Sequence, residues 1–225
     1  MNTTLRLTTL LTAAFLLAGC HSMSRDAQPK AAFNGRDLSG WTYVLEKPDV
    51  KMTEVWSVRD GLLICKGEPL GYLASLDSYT NLRLVVEWRW APGTKPGNSG
   101  VLLRINGQPR PLPRCLEAQL QHGNAGDLLG LQGMGITGDA ARLNTIKNHP
   151  LAGDVTIVRK MAALENPPGE WNRYEIELRD GSLKAWVNGT FANEANGCEI
   201  LSGPFAVQSE GGEIHFRKIE VTRLK

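Results

Sequence analysis

Hydrophobic and polar residues alternate with a period of two along much of the chain from Phe33 onward, and Gly, Asn and Asp separate the alternating stretches. Two pairs of such stretches flank an Asp-Gly dipeptide: Trp56–Arg59 with Leu62–Cys65, and 174–179 with 183–187. Asn188-Gly189 follows the second pair. Such dipeptides are the strongest short-range signal for a β-hairpin. The pattern therefore predicts short antiparallel strands.

Longer strands are predicted at 81–90, 100–105, 204–210 and 213–224, and no segment has the periodicity of an amphipathic helix. Many antiparallel strands at this spacing favour an all-β sandwich or jelly roll with two sheets. The 225 residues suit a single domain, and 24 glycines with 12 prolines fit a turn-rich chain. A net charge of +2 gives no electrostatic footprint for nucleic acid, so we expect no nucleic-acid partner.

The first 19 residues have the features of a signal peptide. Arg6 precedes an apolar run, 10–17, that is shorter than the roughly 20 residues of a membrane span. The sequence Leu-Ala-Gly-Cys at 17–20 resembles a bacterial lipobox. We therefore expect cleavage before Cys20 and lipid attachment to its thiol, which would anchor the protein to a membrane without spanning it. An ordinary secreted protein is the alternative.

The segment 20–31 is polar and reads as a tether, which leaves 32–225 as the folded domain. His21, rather than Asp, follows the lipobox cysteine. The usual sorting rule for lipoproteins then favours a location in the cell envelope, and we expect the protein on the periplasmic side of the outer membrane of a Gram-negative bacterium. Of the remaining cysteines, Cys65, Cys115 and Cys198, two at most can pair, and buried free thiols are the simpler reading.

Strand alternation places several polar residues on one side of their strands. Glu87 shares a face with Arg89, and Glu117 shares one with Gln119. These faces are rich in Glu, Gln and Arg and lack lysine, so we expect them to line one sheet and form a ligand groove. A solvated outer face and Glu–Arg cross-strand pairs are the alternatives.

Several motifs together carry a resemblance to a known family. They include Phe-Asn-Gly-Arg-Asp-Leu-Ser-Gly-Trp at 33–41, Gly-Asn-Ser-Gly-Val at 97–101 and Gly-Glu-Trp-Asn at 169–172. Over 32–223 the chain resembles the 3-keto-disaccharide hydrolase domain family, which implies a concanavalin-A-like jelly-roll fold. The chain departs from the family at the proline-rich stretch 109–114. It departs again at Glu210, near which the family often has histidine.

The resemblance implies an enzyme that cleaves 3-keto-glycosides or 3-keto-disaccharides. A ketone at C3 acidifies the C2 proton, so a base that removes this proton can trigger loss of the oxygen on C1. The reaction would be either a hydrolysis or an elimination followed by hydration. A separate dehydrogenase would have to oxidise the sugar at C3. A non-catalytic carbohydrate-binding module on the same scaffold is the alternative, and a cell-envelope scaffold domain is a third.

The site residues follow from the polar faces and the resemblance together. We expect Glu87 or Glu117 to act as base or acid, with Arg89 and Arg104 stabilising the charge on the ketone oxygen. No cofactor is assigned, although Glu and Gln side chains in a groove are compatible with a divalent metal ion. Trp171 and Trp186 could each stack on a sugar ring, and core packing is the alternative for both. The expected substrate-binding residues are Asn98, Gln119, Gln208, Glu210, His122 and Trp171.

Overall fold

A computed structural model describes residues 28–225, which fold into two eight-stranded antiparallel sheets. The single helix of these residues, α1 (Met52–Val55), is one turn long. No helix in this range is long and apolar enough to cross a membrane. The signal peptide and Cys20 lie outside the described residues, so lipid attachment stays a prediction.

Sheet I contains the amino- and carboxyl-terminal strands of the domain. Its spatial order is β14 (Thr190–Ala195), β13 (Ser182–Val187), β12 (Asn172–Arg179), β6 (Leu82–Trp90), β16 (Ile214–Arg223), β4 (Leu62–Cys65) and β3 (Trp56–Arg59), with β1 (Lys30–Ala31) paired to β16. Pairing of β1 with β16 begins the sandwich at Lys30, inside the segment predicted as a tether.

Sheet II lies against sheet I. Its spatial order is β10 (Leu143–His149), β11 (Gly153–Val158), β9 (Leu128–Leu131), β8 (Arg114–Gln119), β7 (Gly100–Asn106), β15 (Ala206–Ser209), β5 (Gly71–Ser75) and β2 (Trp41–Leu45). The all-β sandwich predicted from the alternating pattern is therefore confirmed.

The main hydrophobic core lies between the sheets and follows from strand parity. Leu84, Val86 and Trp88 of β6 are fully buried, as are Val101 and Leu103 of β7. At about 25 cal/mol per Å² of apolar area removed from water, this interior dominates the stabilisation of the sandwich. Cys65, Cys115 and Cys198 are buried free thiols.

The outer face of sheet II carries a second apolar cluster, which is unusual because the outer face of an antiparallel sheet is normally solvated. Leu102, Cys115 and Leu129 are buried there, and β11 adds Val155 and Ile157. These residues are the parity partners of the core residues on the same strands. A sheet that is apolar on both faces must be covered or must form the floor of a depression, and the latter is found here.

The hairpins predicted from the Asp-Gly dipeptides are present. β3 and β4 pair across Asp60-Gly61, whose φ values of 53° and 74° are those of the two central residues of a type I′ turn. β12 and β13 also pair across a two-residue turn, Asp180-Gly181, in which Asp180 has a φ of 51° but Gly181 has no positive φ. Local turn chemistry thus determined the register of both hairpins.

Candidate active site

A cavity of about 150 Å³ lies on the outer face of sheet II. This volume is below the roughly 300–1,000 Å³ of pockets for drug-sized ligands, so the cavity suits one small ring rather than an extended chain. Apolar side chains of β9 and β11 form part of its floor. The polar lining residues are Asn98, Glu117, Gln119, His149, Gln208 and Glu210.

Strand pairing brings these polar residues together from distant parts of the chain. Within β8, Glu117 and Gln119 point to the same face, and Gly100 of β7 lies directly opposite Gln119. On the other side of β7 runs β15, which carries Gln208 and leads into Glu210. The predicted grouping of Asn98, Gln119, Gln208 and Glu210 with Glu117 is therefore what the structure shows.

The Gly-Asn-Ser-Gly motif at 97–100 holds these strands in place. A Cβ atom at Gly97 would collide with the backbone of Gly211, so only glycine permits this close approach. The backbone N–H of Asn98 donates to the carbonyl of Gly211 (2.9 Å), and the Ser99 hydroxyl donates to the carbonyl of Gln208 (2.8 Å). The motif thus fixes the segment 208–211 beside the start of β7.

Several polar atoms of the cavity are buried without a hydrogen-bond partner among the residues that the structure describes. They are Oδ1 of Asn98, Oε1 of Glu117, and both Oε1 and Nε2 of Gln208. An unpaired buried polar group costs about 1–3 kcal/mol, so folded proteins rarely retain one without a reason. Three such side chains facing one cavity are most simply explained as contacts for a polar ligand.

The two carboxyl groups of the cavity have raised pKa values. Burial, reinforced by the nearby charge of Glu210, raises the pKa of Glu117 from 4.5 to about 8. Burial raises the pKa of Glu210 to about 7, and the nearby amide of Gln208 opposes this rise. Glu117 is 3% exposed, whereas Glu210 is only half-buried. Near neutral pH the pair can therefore hold one proton, with the negative charge favoured on Glu210.

The amide of Gln119 has a fixed orientation. Its Oε1 accepts hydrogen bonds from the backbone N–H groups of Leu120 (2.9 Å) and Gln121 (2.8 Å). With the oxygen held by the backbone, the Nε2 amino group is the end available to a ligand. Gln119 is therefore positioned as a hydrogen-bond donor.

Glu87 and Arg89 lie on the outer face of sheet I, and the prediction that they share a face with Glu117 is wrong. Glu87 is paired with Arg173 (3.0 Å) and Arg217 (2.6 Å). Burial opposes ionisation of Glu87, but the two guanidinium groups outweigh it and hold its pKa below the ordinary value. Strand β6 belongs to the other sheet, so these residues and Glu117 face opposite sides of the sandwich.

Arg104 is also absent from the cavity, contrary to the prediction from strand parity. A register shift between Leu103 and Asn106 and a φ of 51° at Arg104 interrupt the alternation of β7. The buried guanidinium instead donates to the backbone carbonyls of Thr80, Glu199 and Asp180. Arg104 therefore ties loops together.

Neither His122 nor Trp171 lines the cavity, although the backbone N–H of His122 donates to the carbonyl of Gly97 (3.0 Å), next to the lining residue Asn98. Nδ1 of His122 is 3.1 Å from Oε1 of Glu165, and the imidazole is largely exposed. The guanidinium groups of Arg89 and Arg217, which belong to strands of sheet I, lie over the ring of Trp171, 4.5 and 4.6 Å from its centroid. Trp186 packs edge-on against Phe191 on the same sheet, so neither tryptophan belongs to the core.

His149 is a cavity residue that sequence reasoning missed. It ends β10, in a stretch where no strand had been predicted, and a single histidine on an exposed strand gives no signal of its own. Within residues 28–225, no three His, Cys, Asp or Glu side chains are grouped so as to hold a metal ion. A divalent cation prefers oxygen ligands such as carboxylates, and in the cavity these belong to Glu117 and Glu210.

Residues 28–222 match the 3-keto-alpha-glucoside-1,2-lyase-like domain family. The chain therefore belongs to this family, as its motifs had suggested, and has a carbohydrate-active role. No curated protein matches the sequence significantly.

Solved structures with this fold include both enzymes and binding modules. A candidate glycosyl hydrolase from Parabacteroides distasonis has a TM-score of 0.62 and 20% identity over 88% of this chain and 94% of that chain. The carbohydrate-binding module CBM66 from Bacillus subtilis has a TM-score of 0.55 and 9% identity over 80% and 94%. The Bacillus licheniformis β-glucanase has values of 0.54 and 12% over 90% and 100%. These similarities establish the jelly-roll fold.

Proposed function

We propose that the protein cleaves glycosides whose sugar ring carries a ketone at C3, with Glu210 as general base and Glu117 as general acid. The observation that supports this most directly is the pair of carboxyl groups with raised pKa values in one cavity. Family membership supports the substrate class. A pair of carboxyl groups that holds one proton near neutral pH can supply both the general base and the general acid of a proton-transfer reaction.

The reaction follows from the chemistry of the keto sugar. The Glu210 carboxylate removes the C2 proton, and the electrons of the C2–H bond form an enolate with the negative charge on the C3 oxygen. The enolate then expels the oxygen on C1, giving an enone, and Glu117 donates its proton to the departing oxygen. Addition of water to C1 and return of a proton to C2 give the free 3-keto sugar, so the net reaction is hydrolysis.

Burial determines the assignment of the two roles. Glu117 is the more buried carboxyl and retains its proton to higher pH, as a general acid requires. Glu210 loses its proton first and is half-buried. The amide groups of Gln119 and Gln208 suit recognition of sugar hydroxyls, because one is a fixed donor and the other, although near the carboxyl group of Glu210, makes no hydrogen bond of ordinary geometry.

Three glutamate variants test the proposal on a 3-keto-glucoside, with its unoxidised parent as the comparison substrate. We expect the wild type to release 3-keto-glucose from the keto sugar alone. Glu210→Gln should lose turnover with every leaving group, since C2 deprotonation precedes departure. Glu117→Gln should lose turnover with alkyl leaving groups but retain much of it with p-nitrophenolate, which departs without a proton.

Glu87→Gln is the matched control, because Glu87 lies on the other sheet and pairs only with arginines there. We expect it to keep wild-type kcat and KM. If no keto sugar is cleaved but keto sugars raise the melting temperature, the catalytic proposal fails and the protein is a carbohydrate-binding module. If neither occurs, both carbohydrate proposals fail.

We further propose that the protein works in the cell envelope, attached through a lipid on Cys20 and supplied with substrate by a separate C3-oxidising dehydrogenase. The lipobox-like sequence at 17–20 supports the anchor. Globomycin treatment, or a Cys20→Ala substitution, should leave the precursor uncleaved and remove label incorporated from radioactive palmitate. A Cys20→Ala protein processed and labelled like the wild type would contradict the anchor.

A further inference from the structure

The imidazole of His149 has one ring nitrogen committed to its own hairpin turn. Backbone N–H groups of Leu151 (3.3 Å) and Ala152 (3.1 Å) donate to Nδ1. The side chain thus accepts from the amides two and three residues ahead, in the way that Asn and Asp do in Asx turns. The turn connects β10 to β11, and His149 lines the same cavity as Glu117 and Glu210.

This arrangement defines the tautomer of the neutral ring. A neutral imidazole carries one proton, and a nitrogen that accepts hydrogen bonds is not the one that carries it. With Nδ1 accepting from the backbone, the proton lies on Nε2. The ring nitrogen left for a ligand is therefore a hydrogen-bond donor.

The proposed reaction needs such a donor at the C3 oxygen. Negative charge develops there as the C2 proton leaves, and stabilising it is normally a large part of catalysis. Arg89 and Arg104, the residues expected to do this, lie elsewhere. Among the described residues that line the cavity there is no lysine or arginine, the amides of Gln119 and Gln208 are assigned to sugar hydroxyls, and the two carboxyl groups are occupied by proton transfer.

We propose that His149 is a catalytic hydrogen-bond donor, which presents Nε2–H to the C3 oxygen of the bound keto sugar. The imidazole keeps its proton throughout, and the hydrogen bond strengthens as the carbonyl becomes an enolate. A neutral imidazole is known to act as an electrophile in this way. The inference rests on the proposed function, since it assigns a group to the same site and the same substrate.

The substitution His149→Asn removes the proposed hydrogen-bond donor but keeps the hydrogen bonds of the turn. The Asn Oδ1 can accept the same two backbone amides, so the turn is kept while the group at the Nε2 position is removed. We expect an unchanged melting temperature and a fall in kcat/KM of roughly 10- to 100-fold, at or below the ~10²–10³ typical of a buried oxyanion donor. His149→Ala, which removes both functions, should lose activity and some stability.

A deuterium isotope effect at C2 distinguishes the donor from a purely structural residue. Loss of enolate stabilisation slows C2 deprotonation itself, so the effect on kcat/KM should be larger in His149→Asn than in the wild type. A kcat/KM within twofold of wild type would overturn the inference. So would a parallel loss of activity and melting temperature in both variants.

The tautomer provides a readout that does not depend on activity. At a pH where the ring is neutral, the ¹⁵N chemical shifts of His149 should show a protonated Nε2 and an unprotonated Nδ1. The opposite pattern would overturn the inference even if the protein cleaves keto sugars. An inactive wild type would instead overturn the proposed function, and the assignment of His149 with it.

Discussion

Gly100 provides the space that the carboxyl group of Glu117 occupies. A Cβ atom built on Gly100 would collide with Oε1 of Glu117, whose strand is hydrogen-bonded to that of Gly100. The second glycine of the Gly-Asn-Ser-Gly motif therefore has a chemical role: it lets a carboxyl group lie across the neighbouring strand, buried beside the cavity.

Gly100→Ala should displace the Glu117 carboxyl group and reduce kcat by more than tenfold. The backbone at Gly100 has no positive φ, so the substitution adds no conformational strain there. Activity on the 3-keto-glucoside and the melting temperature are the two measurements. Gly181→Ala is the control, since a Cβ there meets only ordinary contacts, and equal activity loss in both variants would contradict the account.

The pH dependence of kcat/KM should be a narrow bell. Activity rises as Glu210 loses its proton, through a pKa of about 7, and falls as Glu117 loses its proton, through about 8. With a p-nitrophenyl leaving group, Glu117→Gln should lack the alkaline fall. A wild-type profile that is flat from pH 6 to pH 9 would contradict the assignment of acid and base.

Glu117 should make the protein less stable as the pH rises. Its folded-state pKa of about 8 is above the unfolded value near 4.5, so the folded state binds the proton more tightly. Stability is therefore lost progressively between about pH 4.5 and pH 8. Urea unfolding should show that Glu117→Gln gains stability relative to wild type between pH 5 and pH 8. A pH-independent difference would show that the carboxyl pKa is ordinary.

Arg104 should matter for folding rather than for chemistry. Arg104→Met removes the donor to the partly buried carbonyls of Thr80, Glu199 and Asp180, and each lost hydrogen bond to the charged guanidinium costs about 1–3 kcal/mol. We expect a loss of roughly 3 kcal/mol or more in urea unfolding. Arg83→Met, which removes a half-exposed ion pair with Glu177, should cost less than about 1 kcal/mol.

Local patterns predicted the strands better than they predicted the site. The turns at Asp60-Gly61 and Asp180-Gly181 are encoded within a few residues, and both hairpins form as expected. Which sheet a strand joins depends on pairing between residues far apart in sequence. Glu87 and Glu117 have the same alternation, but only pairing reveals that they face opposite sides of the sandwich.

Two further misses have local causes that alternation does not encode. The bulge at Arg104 reverses the direction in which its side chain points. His149 enters the site because the β10–β11 hairpin forms one wall of the cavity, a property of tertiary packing. By contrast, Glu117, Gln119 and Gln208 could be predicted to line a groove, because strand alternation puts polar residues on one face and the family resemblance singles out the same segments.

Cleavage of a 3-keto-glucoside in D₂O tests the central claim most directly. If Glu210 removes the C2 proton and solvent later returns one, the 3-keto-glucose released should carry one deuterium at C2 by mass spectrometry. The product is compared with 3-keto-glucose incubated without enzyme, to subtract spontaneous exchange. Equal cleavage of the unoxidised glucoside, with no deuterium at C2 of the products, would show that the cavity performs direct glycoside hydrolysis and would contradict the account.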